Sequence, residues 1–206
     1  MSTGRVGRPP ADEVAQGERR TEILRTAMDL FTQRGYAAIS LGQIAAEVGV
    51  TKSALYNHFR SKESLYTEVL CTLLGLIADG VNAASEGAVS FRVALRVITE
   101  RALLHTPVTA DMDEMMRDVA AHLSPEQQSQ VQVAHRRFLG SLTALMQKGI
   151  DQGDLRADLS PDLLGYTYQR LVSGFQGRNR QQLGLEPSDQ LVDFVVDQFL
   201  LGAAVC

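Results

Sequence analysis

Apolar residues return every three to four positions along most of the chain, the spacing of amphipathic helices. Ile23, Ala27, Leu30 and Phe31 fall at i, i+4, i+7 and i+8, which predicts a helix from about Glu18 to Arg34, closed by Gly35. Ser40 stands three residues before Gln43, a capping box, and opens a second short helix with Ile44, Ala45 and Val48 on one face. Gly49 stops that helix, and Thr51 caps a third from Lys52 to about Phe59, with Leu55 and Phe59 turned inward. Ser61 caps a fourth, reaching to about Ala83. Later helices are predicted from about Ser90 to His105, Asp111 to Leu123, Ser124 to Gly149 or Gly153, Ser160 to near Gly177, and Pro187 to near Gly202. No stretch alternates with period 2, so the expected fold is all-α.

The second and third helices, joined by a glycine-bearing turn, form a helix-turn-helix pattern. The third helix is polar on its outer side, at Lys52, Ser53, Tyr56 and Asn57, residue types that reach base edges and phosphates when a helix docks in a major groove. The competing reading is a helical hairpin with a solvated face. Charge placement leans toward the first. Net charge over 206 residues is −4, yet residues 1–62 hold nine Lys/Arg against six Asp/Glu, net +3, and residues 63–206 hold eleven against eighteen, net −7. A basic head on an acidic body suits a head that meets an anion. Three parts are therefore expected: a flexible basic arm over residues 1–17, a helix-turn-helix head over 18–62, and a helical body over 63–206.

The residues of the head also carry a family pattern. The run is Ala27, Leu30, Phe31, Gly35 and Tyr36, then Ser40, Gln43, Ile44, Ala45, Gly49, Val50, Thr51 and Lys52, then Leu55, Tyr56, His58, Phe59, Ser61, Lys62, Glu63 and Leu65. In this spacing it resembles the DNA-binding head of the tetracycline-repressor (TetR) family. The resemblance directly covers about a quarter of the chain, Ile23 to Leu70; the remainder agrees in length and helical content.

The resemblance implies roles residue by residue. Lys52, Ser53 and Ala54 would face bases, and Tyr56 would meet the DNA backbone or a thymine methyl. Asn57, His58 and Lys62 would hold phosphates, and Thr51 would cap the helix and touch phosphate together. Ser40, at the start of the second helix, is grouped with these contacts. Plainer readings stand beside them: His58 packing on Tyr56, and Ser53 and Ala54 as spacers. Gly42 departs from the family, which often has a longer polar residue there, so this helix is expected to read fewer bases. Arg5 and Arg8 on the arm suit a narrow minor groove, or belong to a disordered tail.

In the body, two final helices carry broad apolar surfaces, Leu163, Leu164, Tyr168, Leu171, Val172 and Phe175 on one, and Leu191 to Leu200 on the other. That excess suggests a helix pair buried on two sides. The resemblance implies that the pair forms a two-fold homodimer interface, against a monomer that buries the surface internally. Two heads on a two-fold axis read a palindromic double-stranded DNA operator. The family also implies a small-molecule effector held in the body. Met112, Met115, Met116 and Val119 form one stripe there, and Phe138 and Leu142 begin another; with His105 and Phe175 they are the candidate ligand contacts. The same stripes read more readily as plain core, and His105 as a satisfied core or boundary histidine. Arg136, Arg137, Arg178 and Arg180 suit an anionic group or a solvated face, so acyl thioesters of coenzyme A are one expected effector class.

Other chemistry finds little support. Glu114, Asp118 and His122 recur at i, i+4 and i+8, but no matching cluster completes a metal site, and no cofactor is implied. Cys71 and Cys206 are too few and too distant for a disulfide scaffold; Cys71 reads as a buried structural thiol rather than a redox sensor. There is no phosphate-cradling glycine loop and no nucleophile elbow. The greasiest run, Val69 to Ala78, has ten residues, whereas a membrane span needs about 18. A cytoplasmic chain with no membrane partner is expected. The reading is a ligand-responsive repressor; an enzyme with an unrecognised site and a helical protein-interaction dimer are the alternatives.

Overall fold

The computed structural model describes residues 11–105 and 112–205, and it is helical as expected. In chain order the helices are α1 (Ala11–Arg34), α2 (Leu41–Val48), α3 (Lys52–His58), α4 (Lys62–Gly87), α5 (Phe91–Leu104), α6 (Met112–His122), α7 (Pro125–Asp151), α8 (Pro161–Ser173), α9 (Gly177–Gln182) and α10 (Asp189–Ala203). Among the described residues the one β feature is an isolated bridge between Leu155 and Ala204.

Serine and threonine set most helix starts. The side chains of Ser40, Thr51, Ser61, Ser90, Ser124, Ser160 and Ser188 each accept the backbone N–H three residues on. Each satisfies a donor that the first turn leaves without a helical partner. Both capping boxes form, at Ser40–Gln43 and Ser124–Gln127. Gly49 ends α2 with φ +75°, a left-handed conformation that favours glycine.

Three boundaries differ from the sequence reading by more than two residues. Helix α1 starts at Ala11 rather than Glu18, so residues 11–17 are helix and not arm. Ala11, Asp12 and Glu13 are good first-turn residues after Pro9 and Pro10, and Gly17 is carried inside the helix. Helix α4 runs four residues beyond Ala83, to Gly87. Beyond Ser173 the predicted last helical turns give way to a break at Gly174 and the separate short α9, whose N-cap Gln176 makes no side-chain cap bond.

The core is organised around α4, which packs against α1, α5 and α7. Its Leu65, Leu70, Leu74 and Ala78 are fully buried. This helix is long and apolar enough by composition to cross a bilayer, which the ten-residue run did not suggest. Its apolar surface instead meets three neighbouring helices. At the head end, Ile23, Ala27 and Phe31 of α1 pack with Ile44, Leu55 and Phe59. Arg20 ties α1 to α4, its guanidinium over the Phe59 ring at 4.9 Å and paired with Glu68. At the far end α10 lies on α5 and α8. Arg96 bonds Asp189 and Asp193 across that junction, and Arg92 pairs with Asp197.

Candidate nucleic-acid interface and internal cavity

Helix α3 is anchored by Leu55 and Phe59, which are 0% and 1% exposed. A seven-residue helix pinned on that side must present the opposite row outward. Lys52, Ser53, Tyr56 and Asn57 are exposed, and Ala54 and His58 are half-buried. The Lys52 ammonium lies over the Tyr56 ring at 6.0 Å. Thr51 is exposed and accepts from the Ala54 N–H at 3.1 Å, so it serves as a cap. Ser40 does the same for α2, with the Gln43 N–H at 3.3 Å.

A cleft of about 560 Å³ opens beside this row, lined by residues 37–42 together with Lys52, Tyr56, Arg60, Ser61, Lys62 and Glu63. It gathers three cations, Lys52, Arg60 and Lys62. Arg60 was not among the residues singled out from the sequence, although it falls four positions after Tyr56, in line with the exposed row. Arg5 and Arg8 lie outside the described residues.

Lys62 is held by aromatic packing. Its ammonium sits 3.9 Å from the Tyr36 ring centroid, and the Tyr36 hydroxyl donates to Glu63 Oε1 at 2.9 Å. Burial lowers the Lys62 pKa, with the Glu63 and Asp118 carboxylates opposing it. The Glu63 carboxyl is held below the ordinary glutamate range, first by a backbone N–H and then by the Ser61 hydroxyl, with burial opposing and Tyr36 and Lys62 adding to the effect. A carboxylate depressed in the folded chain stabilises it above the unfolded pKa and loses that contribution as pH falls through the folded value. Stability is therefore expected to drop as pH falls below about 4. Glu63→Gln should flatten that part of a Tm-against-pH profile; a profile that keeps its slope in the variant contradicts the assignment.

Gly42 is exposed on α2, and a Cβ there would meet only Ser40 Oγ, at 3.8 Å. Gly42→Ala is expected to stabilise the chain by about 0.5–1 kcal/mol. A urea midpoint that stays put or falls would count against this.

A second cavity of about 360 Å³ lies within the body. Leu73, Leu76, Ile77, Gly80 and Val81 of α4 form one wall, with Ile98, Arg101 and Ala102 of α5 beside it. Met115 of α6, Phe138 and Leu142 of α7, and Tyr168, Gln169, Val172 and Ser173 of α8 complete most of the rest. Thr32 of α1 reaches it from the head, and His105 and Gln176 edge it. The polar groups here are largely satisfied within the chain. The Tyr168 hydroxyl lies 2.7 Å from Thr99 Oγ1, and burial raises its pKa, which keeps it neutral. Thr32 donates to the Met28 carbonyl at 2.8 Å, and Gln176 to the Ala102 carbonyl at 3.0 Å. Arg101 reaches the Gly80 carbonyl at 3.3 Å.

Of the residues proposed from sequence as ligand contacts, the cavity brings together His105, Met115, Phe138 and Leu142. It does not include Val119, which is buried in the core, or Met116, which packs on the core from outside. Phe175 stacks edge-on against Phe194 at 5.8 Å instead. The Met112 side chain lies outside the described residues, as do those of Arg178 and Cys206. His105 caps α5 with its side chain 67% exposed, 3.9 Å from Glu100, so it is a rim residue rather than a core one. Arg180 is 3% exposed and donates to the Leu103 carbonyl at 2.7 Å, so it is a buried helix cap rather than part of a solvated face. Cys71 is half-buried, and burial raises its thiol pKa. Thr32, Arg101 and Tyr168 were missed as lining residues, because periodicity marks a face without saying what stands opposite.

Residues 23–69 match the family model described as bacterial regulatory proteins, tetR family. The HTH-type transcriptional repressor KstR2 of Rhodococcus jostii is 26% identical over 75% of this chain and 77% of its own length. The HTH-type transcriptional regulator MT1294 of Mycobacterium tuberculosis is 30% identical over 68% of this chain and 83% of its own. Among solved structures, AibR in complex with isovaleryl coenzyme A and operator DNA superposes with a TM-score of 0.62 at 21% identity, covering 88% of this chain and 96% of AibR.

Proposed function

Because this chain belongs to the tetR family of bacterial regulatory proteins, and so is a transcriptional regulator rather than an enzyme, we propose that it is a cytoplasmic, dimeric repressor of a palindromic operator, released by a lipophilic small molecule. The observation that carries this reading is the outward row of α3 beside a cleft holding three cations. Lys52, Ser53, Ala54 and Tyr56 then meet base edges, and Asn57, His58, Arg60 and Lys62 meet phosphates. The repressor sense follows the likeness to KstR2, which is named a repressor.

Dimerisation is supported by apolar side chains that α8 and α10 leave in solvent. Leu163 is 51% exposed, Tyr166 57%, Phe194 48% and Leu201 80%. Burying the exposed part of each against a second copy contributes roughly half to most of the ~1.5–3 kcal/mol that full burial of such a side chain gives. A two-fold axis there sets two α3 helices on half-sites one or more helical turns apart, about 34–36 Å per turn.

The effector reading rests on the cavity. Its size falls within the usual range of small-molecule sites, and its inner polar groups bond to the chain itself. The Arg101 guanidinium and the His105 imidazole stand at its lining, both exposed. An acyl chain would occupy the interior, with an anionic group such as a coenzyme A phosphate near those two side chains. AibR holds an acyl thioester of this class. A hundredfold release from DNA requires about 2.7 kcal/mol of preference for the released conformer.

The test is titration of acyl thioesters of increasing chain length into the chain bound to a palindromic fragment that it retains. Release by the thioesters, weakened by Arg101→Gln, supports the reading. Retention of DNA at saturating thioester, with direct binding absent by calorimetry, removes this effector class.

A further inference from the structure

Helix α6 touches both the cavity and the head. Met115 stands in the cavity wall, and seven residues on, two turns along the same face, His122 stacks on Tyr36 with ring centroids 4.9 Å apart and planes at 26°. Tyr36 belongs to the segment joining α1 to α2 and is 5% exposed. Its ring also takes the Lys62 ammonium at 3.9 Å and packs on Tyr66 at 4.6 Å, while its hydroxyl holds Glu63. One aromatic ring thus joins a helix of the cavity wall to a cation in the cleft beside α3.

We propose that Tyr36 is a positioning residue for Lys62, gripped from the body side by His122, so that the seat of α6 on the head sets whether Lys62 is presented to a DNA phosphate. This rests on the reading of Lys62 as a phosphate contact. The ring contributes in two ways. Its face attracts the ammonium, a cation–π contact worth more as the site loses water. Its hydroxyl fixes Glu63, the residue after Lys62, in the first turn of α4. Neither hold survives if the ring tilts, and the imidazole of His122 is what α6 lays against it.

A second observation concerns the seat itself. Among the described residues, the Tyr66 hydroxyl, buried beneath this junction, has no hydrogen-bond partner. A buried hydroxyl left unpaired is costly, and structures keep few of them. The charged groups facing the junction are Lys62 and Glu63 from α4, and Glu114 and Asp118 from α6. Both α6 carboxylates act electrostatically on Tyr66, Asp118 more strongly than Glu114. The contact of α6 with the head thus combines one ring stack with a neighbouring buried hydroxyl left unpaired, while Met115 and Val119 hold the helix to the body. That balance suits an element with two positions. A ligand that presses on Met115 moves the helix that carries His122.

The test uses the full-length chain and a palindromic DNA fragment selected from a genomic library, read by fluorescence anisotropy over a salt series. Lys62→Ala should weaken binding about tenfold and lower the slope of log affinity against log salt. Tyr36→Leu should do the same, and the double variant should lose no more than about twofold beyond either single one. His122→Ala should weaken binding severalfold with the same fall in slope, and His122→Phe, which keeps a stacking ring, should restore it. If Tyr36→Leu does not fold, the exposed His122 pair decides, with thermal unfolding as the control. Two results overturn the proposal while leaving the Lys62 contact intact: additive losses for Tyr36 and Lys62, or equal behaviour of His122→Ala and His122→Phe. Unchanged affinity in Lys62→Ala overturns the phosphate contact and the proposal with it.

Discussion

Replacing Lys52 and Tyr56 together with alanine is expected to cost the dimer about a thousandfold in affinity for its palindrome while leaving the fold unchanged. Both side chains leave α3 on the solvent side, and the packing of that helix depends on Leu55 and Phe59. Truncation therefore removes little from the core. A palindrome meets the pair twice, so four contacts disappear. At about 1 kcal/mol each, the loss is about 4 kcal/mol, or close to three powers of ten. Lys52 is also a cation, so the salt dependence should become shallower. Anisotropy against salt, with circular dichroism as the folding control, measures both. Affinity within threefold of the parent chain would mean that α3 is not the reading helix.

The second large effect concerns the α8–α10 surface. Phe194→Asp with Tyr166→Asp should convert the dimer to a monomer and lower affinity for the palindrome at least a hundredfold, with each isolated head still folded. Both side chains are about half exposed in the single chain, so the internal cost is mainly the edge-on contact of Phe194 with Phe175. Across a two-fold interface each substitution occurs twice, and four carboxylates would lose water without a partner. The loss of DNA binding follows from linkage, since one head gives up the advantage of a neighbour already bound. Sedimentation velocity reads the state of assembly. A dimer that persists in the double variant would place the interface elsewhere.

Much of this was legible in the chain because the helix ends are written in local chemistry. Ser40 with Gln43, Gly49 and Thr51 fix the ends of α2 and the start of α3 through hydrogen bonds that span three or four residues. Local rules need no knowledge of the remaining fold. The start of α1 was misplaced because Gly17 reads as a breaker, whereas the favourable first turn at Ala11 carries the helix through it.

The cavity was less legible for a different reason. Met112, Met115, Met116 and Val119 share a stripe, but a stripe about 100° wide meets several neighbours at once. Met115 faces the cavity while Val119, one turn on, is core. Residues opposite them come from distant helices: Thr32 stands 83 positions before Met115 and Tyr168 stands 53 after it. His122 illustrates the same limit. Its spacing from Glu114 and Asp118 completes no metal site, and nothing in that spacing points to the Tyr36 ring, 86 positions earlier, on which the side chain stacks. Only the folded arrangement of α6 on the head makes that contact.

Reading of DNA through paired α3 helices is the property from which the other roles follow. The most direct measurement is selection of genomic fragments by the purified chain at moderate salt, after extraction of any carried ligand, with sequencing of what is retained. An inverted repeat whose half-sites lie one or more helical turns apart, lost when Lys52 and Tyr56 are replaced, is the predicted result. A folded, dimeric, ligand-free chain that enriches no sequence, or one that enriches the same fragments after both replacements, would contradict it.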